Sequence, residues 1–159
     1  MILVTLGTQD KSFKRLLEAI QKQIDNGNIK DKVVVQAGCT EFESKDMEIF
    51  DLIDRDKFSK LISECDLLIT HGGVGSILMA IKKNKKVIAV PRYKMYHEHV
   101  NDHQVKTIEI FGKRSYVMPT KNVQDIEQAL KDVKDFMPVI YEKDERSKVI
   151  QIIEDFIGN

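Results

Sequence analysis

Two hydrophobic patterns take turns along the chain: short unbroken apolar runs, and apolar stripes spaced three and four residues apart. The first run, Ile2-Leu3-Val4-Thr5-Leu6, has no polar face, which predicts a strand covered on both sides. Phe13, Leu16, Leu17, Ile20 and Ile24 then repeat at helical spacing, with Asp10 or Ser12 as the expected cap and Asn26-Gly27 as the stop. Val33-Val34-Val35 reads as the next strand and Gly38 breaks it. The polar stretch 40–46 reads as a loop, and a short strand is expected within 49–53. Phe58, Leu61 and Ile62 mark a short helix, Leu67-Leu68-Ile69-Thr70 a buried strand, and Ile77, Leu78, Ala80 and Ile81 another helix. Val87 to Val90 is a strand stopped by Pro91. A helix is expected from about His99 to Ile110, and a weak strand at Tyr116-Val117-Met118. Val123, Ile126, Ala129 and Leu130 share one helical stripe, and Val149, Ile152, Ile153, Phe156 and Ile157 share a last one. Strands alternating with helices imply a parallel sheet with helices on both faces, hence one Rossmann-like α/β domain over 1–159.

The densest chemistry lies where the strand ending at Thr70 meets the following helix, in His71-Gly72-Gly73-Val74-Gly75-Ser76. Strand, glycine turn and helix together make an anion site. Glycines let the backbone approach a phosphate, and the first-turn N–H groups of the helix point at it. The same turn also occurs where packing alone demands a left-handed residue, and that alternative stands beside the first. The Gly-Lys-Ser/Thr ending of a P-loop is absent, and so is the spaced Gly-x-Gly-x-x-Gly of a dinucleotide site, which argues against an ATPase and an NAD enzyme.

Ligands of open parallel sheets bind beyond the carboxyl ends of strands. Two further segments leave such ends with unusual chemistry: Gly7-Thr8-Gln9, and Pro91-Arg92 followed by His97-Glu98-His99-Val100-Asn101-Asp102-His103-Gln104. Amide and carboxylate side chains in the latter can grip vicinal hydroxyls from two sides, which suits a sugar, and Arg92 can pair with a phosphate. The plainer reading is a helix start capped by Asn101 or Asp102 with solvated neighbours. His97, Glu98, His99 and His103 cluster, but no His-Glu-x-x-His order is present, so no metal is expected.

A length of 159 residues fits one domain with a sizeable core. Lys plus Arg and Asp plus Glu are 25 each and interspersed, which leaves no electrostatic footprint for nucleic acid. Cys39 and Cys65 have no paired spacing and no leader precedes the first strand, so a reducing, cytoplasmic setting is expected. No apolar run reaches the roughly 20 residues that span a bilayer.

Gly7-Thr8, the segment Asp66 to Ser76, Val90-Pro91-Arg92 and the segment Glu98 to Gln104 come in an order and spacing that resemble one glycosyltransferase group. The chain resembles the donor-binding C-terminal half of GT-B glycosyltransferases of family 28. Within that family it is similar to stand-alone subunits of bacterial capsule and exopolysaccharide synthesis, relatives of the catalytic subunit of the two-part transferase that adds the second GlcNAc to a dolichol-linked sugar. The resemblance runs from Met1 to about Met118. It implies a UDP-sugar as substrate, no cofactor, and an inverting, metal-independent hexosyl or hexuronosyl transfer. By position, Gly72, Gly73, Gly75 and Ser76 would cradle the diphosphate, with Arg92 beside it and Gly7 and Thr8 bordering the cleft. His99, Asn101, Asp102 and Gln104 would hold the donor sugar. One position departs from the pattern: where the family usually carries a ribose-binding glutamate on the helix after the glycine turn, this chain has Met79.

The resemblance further implies a second half. A GT-B enzyme closes a cleft between two Rossmann-like domains, and no catalytic base is evident here. The expected partner is a membrane-anchored, acceptor-binding glycosyltransferase subunit that presents a polyprenyl-diphosphate-linked sugar and recruits this chain to the inner face of the plasma membrane. The helix at about 144–158 is the candidate docking element, the alternative being that its stripe packs on its own core. Self-association of the isolated subunit stays open. The rival function is a non-catalytic accessory subunit that stabilises a separate transferase, and Met79 is the residue that favours it.

Overall fold

A computed structural model of the chain describes residues 1–142 and 151–154. Six parallel strands form one sheet: β1 (Ile2–Thr5), β2 (Val33–Gln36), β3 (Met47–Phe50), β4 (Leu67–Thr70), β5 (Lys86–Ala89) and β6 (Met118–Pro119). Their order is β3-β2-β1-β4-β5-β6, the doubly wound arrangement whose strand order reverses between β1 and β4. The connecting helices are α1 (Lys14–Asp25), α2 (Arg55–Glu64), α3 (Val74–Lys82), α4 (His103–Lys113) and α5 (Ile126–Asp132).

The central strands are apolar throughout because both faces are covered, and the pleat still sorts their residues. Val4, Leu6, Val33, Val35, Ile69 and Ile88 join Phe13, Leu16, Leu17 and Ile20 of the α1 region and Ile126 and Ala129 of α5 in one core. Leu3, Val34, Leu68, Val87 and Ala89 point the other way, onto Ile62 of α2, Ile77, Ala80 and Ile81 of α3, and Ile108 and Phe111 of α4. Cys39 and Cys65 are both free.

Several boundaries differ from the sequence expectation, each for a local reason. Neither Asp10 nor Ser12 caps α1. Its N-cap is Phe13, whose backbone N–H donates instead to Thr40 Oγ1 at 2.9 Å. The third strand starts and ends earlier than expected, and the sixth is displaced to Met118–Pro119. The helix expected from His99 begins only at His103. A 3-10 turn at Lys94–Tyr96 ends on His97 at φ +57°, and Asn101 Oδ1 accepts from His103 N at the helix start.

Of the C-terminal stripe, Val149, Phe156 and Ile157 lie outside the described residues, as does most of the docking element expected at 144–158. The described turn, 151–154, buries Ile152 and sets it with Ile153 against Val74 and against Thr107, Ile110 and Phe111 of α4. This part of the stripe packs on its own domain. Among the described residues no helix is long and apolar enough to cross a membrane.

Candidate functional site

A cavity of about 380 Å³ opens where the strand order reverses, between the loop leaving β1 and the turn leaving β4. Its first wall is Gly7, Thr8 and Gln9, and its second is His71, Gly73, Gly75 and Ser76. Gln36, Leu52, Ile53, Arg55 and Phe58 close the side toward β3 and α2. A second hollow of about 680 Å³ continues past Arg55 and Ser76 to Met79 and Lys82. Gly7, Thr8, Gly73, Gly75 and Ser76, all expected from the sequence, are thus brought together.

Each glycine of the turn does a different job. Gly72 sits at φ +85°, and a Cβ there would fall 2.7 Å from Ile108 Cδ1, so it serves the turn and its packing on α4. At Gly73, the N-cap of α3, a Cβ would lie 2.5 Å from His71 Nε2. A Cβ on Gly75 would meet nothing within 4 Å, because that residue faces open space. No side chain caps α3. Its first-turn N–H groups therefore remain for a ligand, at the end of the helix where the macrodipole favours negative charge.

His71 was named in the motif but not among the expected ligand residues, and the structure makes it the piece on which both walls rest. It is 8 % exposed, and its Nδ1 lies 3.1 Å from the Thr5 carbonyl oxygen. A carbonyl only accepts, so Nδ1 carries the proton and Nε2 of the neutral ring keeps its lone pair. Burial, with the Arg92 charge second and a smaller contribution from His99, pushes the imidazole down to about 4. On the opposite wall, a Cβ at Gly7 would lie 2.7 Å from the same Nε2. The ring is held between two glycines.

Gln36 is another residue the sequence reading passed over. Its Nε2 donates to the carbonyls of Gly7 at 3.0 Å and Asp51 at 3.1 Å, bracing the first wall against the end of β3. The available signal was a buried amide closing an otherwise valine strand.

Arg92 corrects an expectation. Its guanidinium is 1 % exposed and donates to the carbonyls of Leu6, Lys11 (3.2 Å) and Glu98 (3.4 Å) instead of opening toward a phosphate. Carbonyls of the loop after β1 and of the segment after β5 take up N–H groups of Nη1 and Nη2, while the buried Nε has no partner among the described residues.

The expected sugar-binding segment stands outside the cavity lining, beyond β5, the strand next to β4. Its side chains are half committed. Asn101 Oδ1 accepts from His103 N at 3.0 Å, Asp102 Oδ1 from Lys94 N at 2.9 Å, and Gln104 Oε1 from Arg92 N at 3.2 Å. His99 Nδ1 pairs with the Asn101 backbone, 3.0 Å from its carbonyl oxygen and 3.2 Å from its nitrogen. Among the described residues, the other terminal atom of each side chain has no protein partner. Glu98 is occupied by Arg15, and no group of three His, Cys, Asp or Glu among the described residues can hold a metal ion.

The pattern of a glycosyltransferase family 28 C-terminal domain matches residues 1–156. The chain belongs to this family. Among curated proteins, the family 28 chain is 29% identical over 91 residues to the UDP-N-acetylglucosamine transferase subunit ALG13 of Candida albicans, covering 57% of this chain and 29% of that one. It is likewise 29% identical over 86 residues to the subunit of that name from Debaryomyces hansenii, covering 54% and 40%. The chain thus spans well under half the length of the curated relatives it matches. Among solved structures, the Acinetobacter baumannii MurG superposes with a TM-score of 0.60 at 16% identity, covering 84% of this chain and 40% of that one. The glycosyltransferase SnogD of Streptomyces nogalater gives 0.58 at 16% identity, covering 98% and 38%. These likenesses establish the fold as the Rossmann-like domain of GT-B glycosyltransferases.

Proposed function

We propose that the chain is the donor-binding, catalytic subunit of a two-component, inverting UDP-sugar transferase. The observation that carries this reading is the cavity at the switch point, floored by the uncapped N-terminus of α3 and walled by Gly7, Gly73 and Gly75. A diphosphate there accepts from the first-turn N–H groups of α3. Leu52, Ile53 and Phe58 offer the apolar side that a flat base needs. As the acceptor hydroxyl attacks the anomeric carbon, negative charge grows on the departing diphosphate. The fixed N–H groups stabilise it without a metal ion. The matched relatives are transferase subunits by name, which supports a partner that supplies the second wall, the acceptor and the base. Enclosure by that partner excludes water and orients the acceptor. A polyprenyl-diphosphate-linked sugar as acceptor, and recruitment to the cytoplasmic membrane face for capsule or exopolysaccharide synthesis, complete the proposal.

Titration calorimetry of the chain with UDP, and with ADP as control, tests the site. Saturable binding of UDP at least tenfold tighter than ADP is the expected result; equal affinity for both would reject a uridine site.

Met79 supports a second reading, a non-catalytic accessory subunit. It lines the hollow continuing from the cavity, where a ribose would sit, and a thioether is only a weak acceptor. A hydrogen bond to a charged group is worth about 1.5–3 kcal/mol, so Met79→Glu is expected to tighten UDP about tenfold to a hundredfold if no other group holds the ribose. Under the catalytic reading another group already does so, and the gain stays below threefold.

A further inference from the structure

The segment that carries His99, Asn101, Asp102 and Gln104 is irregular between Tyr96 and His103, so its shape is imposed from outside. Glu98 is its anchor. It is 3 % exposed and the buried carboxylate among the described residues. A buried carboxylate must be paired and hydrogen-bonded, and this one meets Arg15 from the first turn of α1. Arg15 Nε lies 2.5 Å from Glu98 Oε1 and its Nη2 2.9 Å from Oε2, a two-pronged fork, while Tyr93 N donates to Oε2 at 3.1 Å.

The same guanidinium reaches further. Its carbon lies 3.8 Å from the centre of the Tyr96 ring, and Nη1 donates to Asn122 Oδ1 at 3.1 Å. Arg15 therefore holds the segment at Tyr96 and at Glu98 and ties both to the turn that opens toward α5. It lines neither the phosphate cavity nor the hollow beyond it. What the clamp fixes is the backbone between the 3-10 turn and α4. From there the uncommitted atoms of Asn101 and Asp102 project, next to Gln104 in the first turn of α4.

We propose that Arg15, acting through Glu98, is a positioning residue that sets discrimination among donor sugars. This rests on the donor-site reading above and adds a residue that reading does not use. Lysine can substitute only in part, because a point charge keeps the attraction to Glu98 but supplies neither the fork nor the flat face stacked on Tyr96. Because Arg15 lines neither the cavity nor the hollow beyond it, its loss should leave the nucleotide's hold intact.

The test measures dissociation constants of the full chain for UDP, UDP-glucose, UDP-galactose, UDP-GlcNAc and UDP-glucuronate, in wild type, Arg15→Gln and Arg15→Lys, with melting temperature recorded for each. The wild type is expected to rank the sugars over at least tenfold. In Arg15→Gln the spread should shrink to under threefold while UDP affinity stays within twofold, and Arg15→Lys should fall between. A merely structural role would lower the melting temperature and weaken UDP and every sugar in parallel, and that outcome overturns the proposal. So does a wild-type ranking that survives in Arg15→Gln, or a wild type that binds UDP without ranking sugars. A wild type that binds no UDP removes the donor-site reading itself, and this inference with it. Should Arg15→Gln not fold, Arg15→Lys carries the same comparison.

Discussion

Gly73→Ala is expected to cost about 1–3 kcal/mol of stability and to weaken UDP binding at least tenfold, although the backbone there suits alanine. At φ −66° and ψ 126° the residue is ordinary extended chain. The whole penalty comes from His71, whose Nε2 and Cε1 would stand 2.5 and 2.8 Å from the new Cβ. The ring has nowhere to go. Nδ1 is tied to the Thr5 carbonyl, and Gly7 approaches so closely that a Cβ there would lie 2.7 Å from Nε2. A methyl on Gly73 must therefore drive the imidazole toward the first wall of the cavity. Denaturant midpoints for Gly73→Ala, His71→Ala and the pair close a double-mutant cycle. In the His71→Ala background the methyl should become nearly free. An equal penalty in both backgrounds would mean that the glycine answers to something other than the ring.

Acid should expose His71 in a second way. Its imidazole ionises near 4 in the folded chain against 6.5 when unfolded. Between those values the unfolded state binds more protons, so stability falls as pH falls. The contribution is complete above about pH 6.5, shrinks through the window, and is gone below about pH 4. A depression of this size is worth about 3 kcal/mol across the window. His71→Asn keeps an N–H to donate to Thr5 but does not titrate. Its stability should fall about 3 kcal/mol less than wild type between pH 7 and pH 4, beyond the loss that the carboxylates impose on both. Parallel curves for the two proteins would count against a neutral, buried ring.

How far the fold can be read from the chain depends on where the deciding contacts lie. β1, β2, β4 and β5 were legible because strands covered on both faces need unbroken apolar runs, and Ile2 to Leu6 or Leu67 to Thr70 have no other use. The structure sets the glycine turn in the lining of the switch-point cavity, and its place at the mouth of a strand-to-helix crossover was legible. The separate duties of its glycines were not, since Gly72 answers to Ile108 and Gly73 to an imidazole, contacts that exist only after folding. Asp102 does stand at the N-cap of α4, without a side-chain cap bond, and Asn101 Oδ1 accepts from His103 N, but the helix starts at His103 and not near His99. The segment before it is shaped by Arg15, eighty-three positions from Glu98, and no local pattern carries such a contact. Arg92 was misread for a related reason. A cation near an expected phosphate site invites pairing, but carbonyls from the loop after β1 and from the segment after β5 claimed it first.

That same arginine has a consequence for timing. By binding the carbonyls of Leu6, Lys11 and Glu98 it fastens the loop after β1 to the segment after β5. A nucleotide meeting this surface finds its donors already in place, and little ordering entropy is left to be lost on contact. Donor capture as proposed would then be a single encounter, limited by diffusion and orientation. On the proposed two-component reading, a slow closing step would come from swinging one domain toward the other.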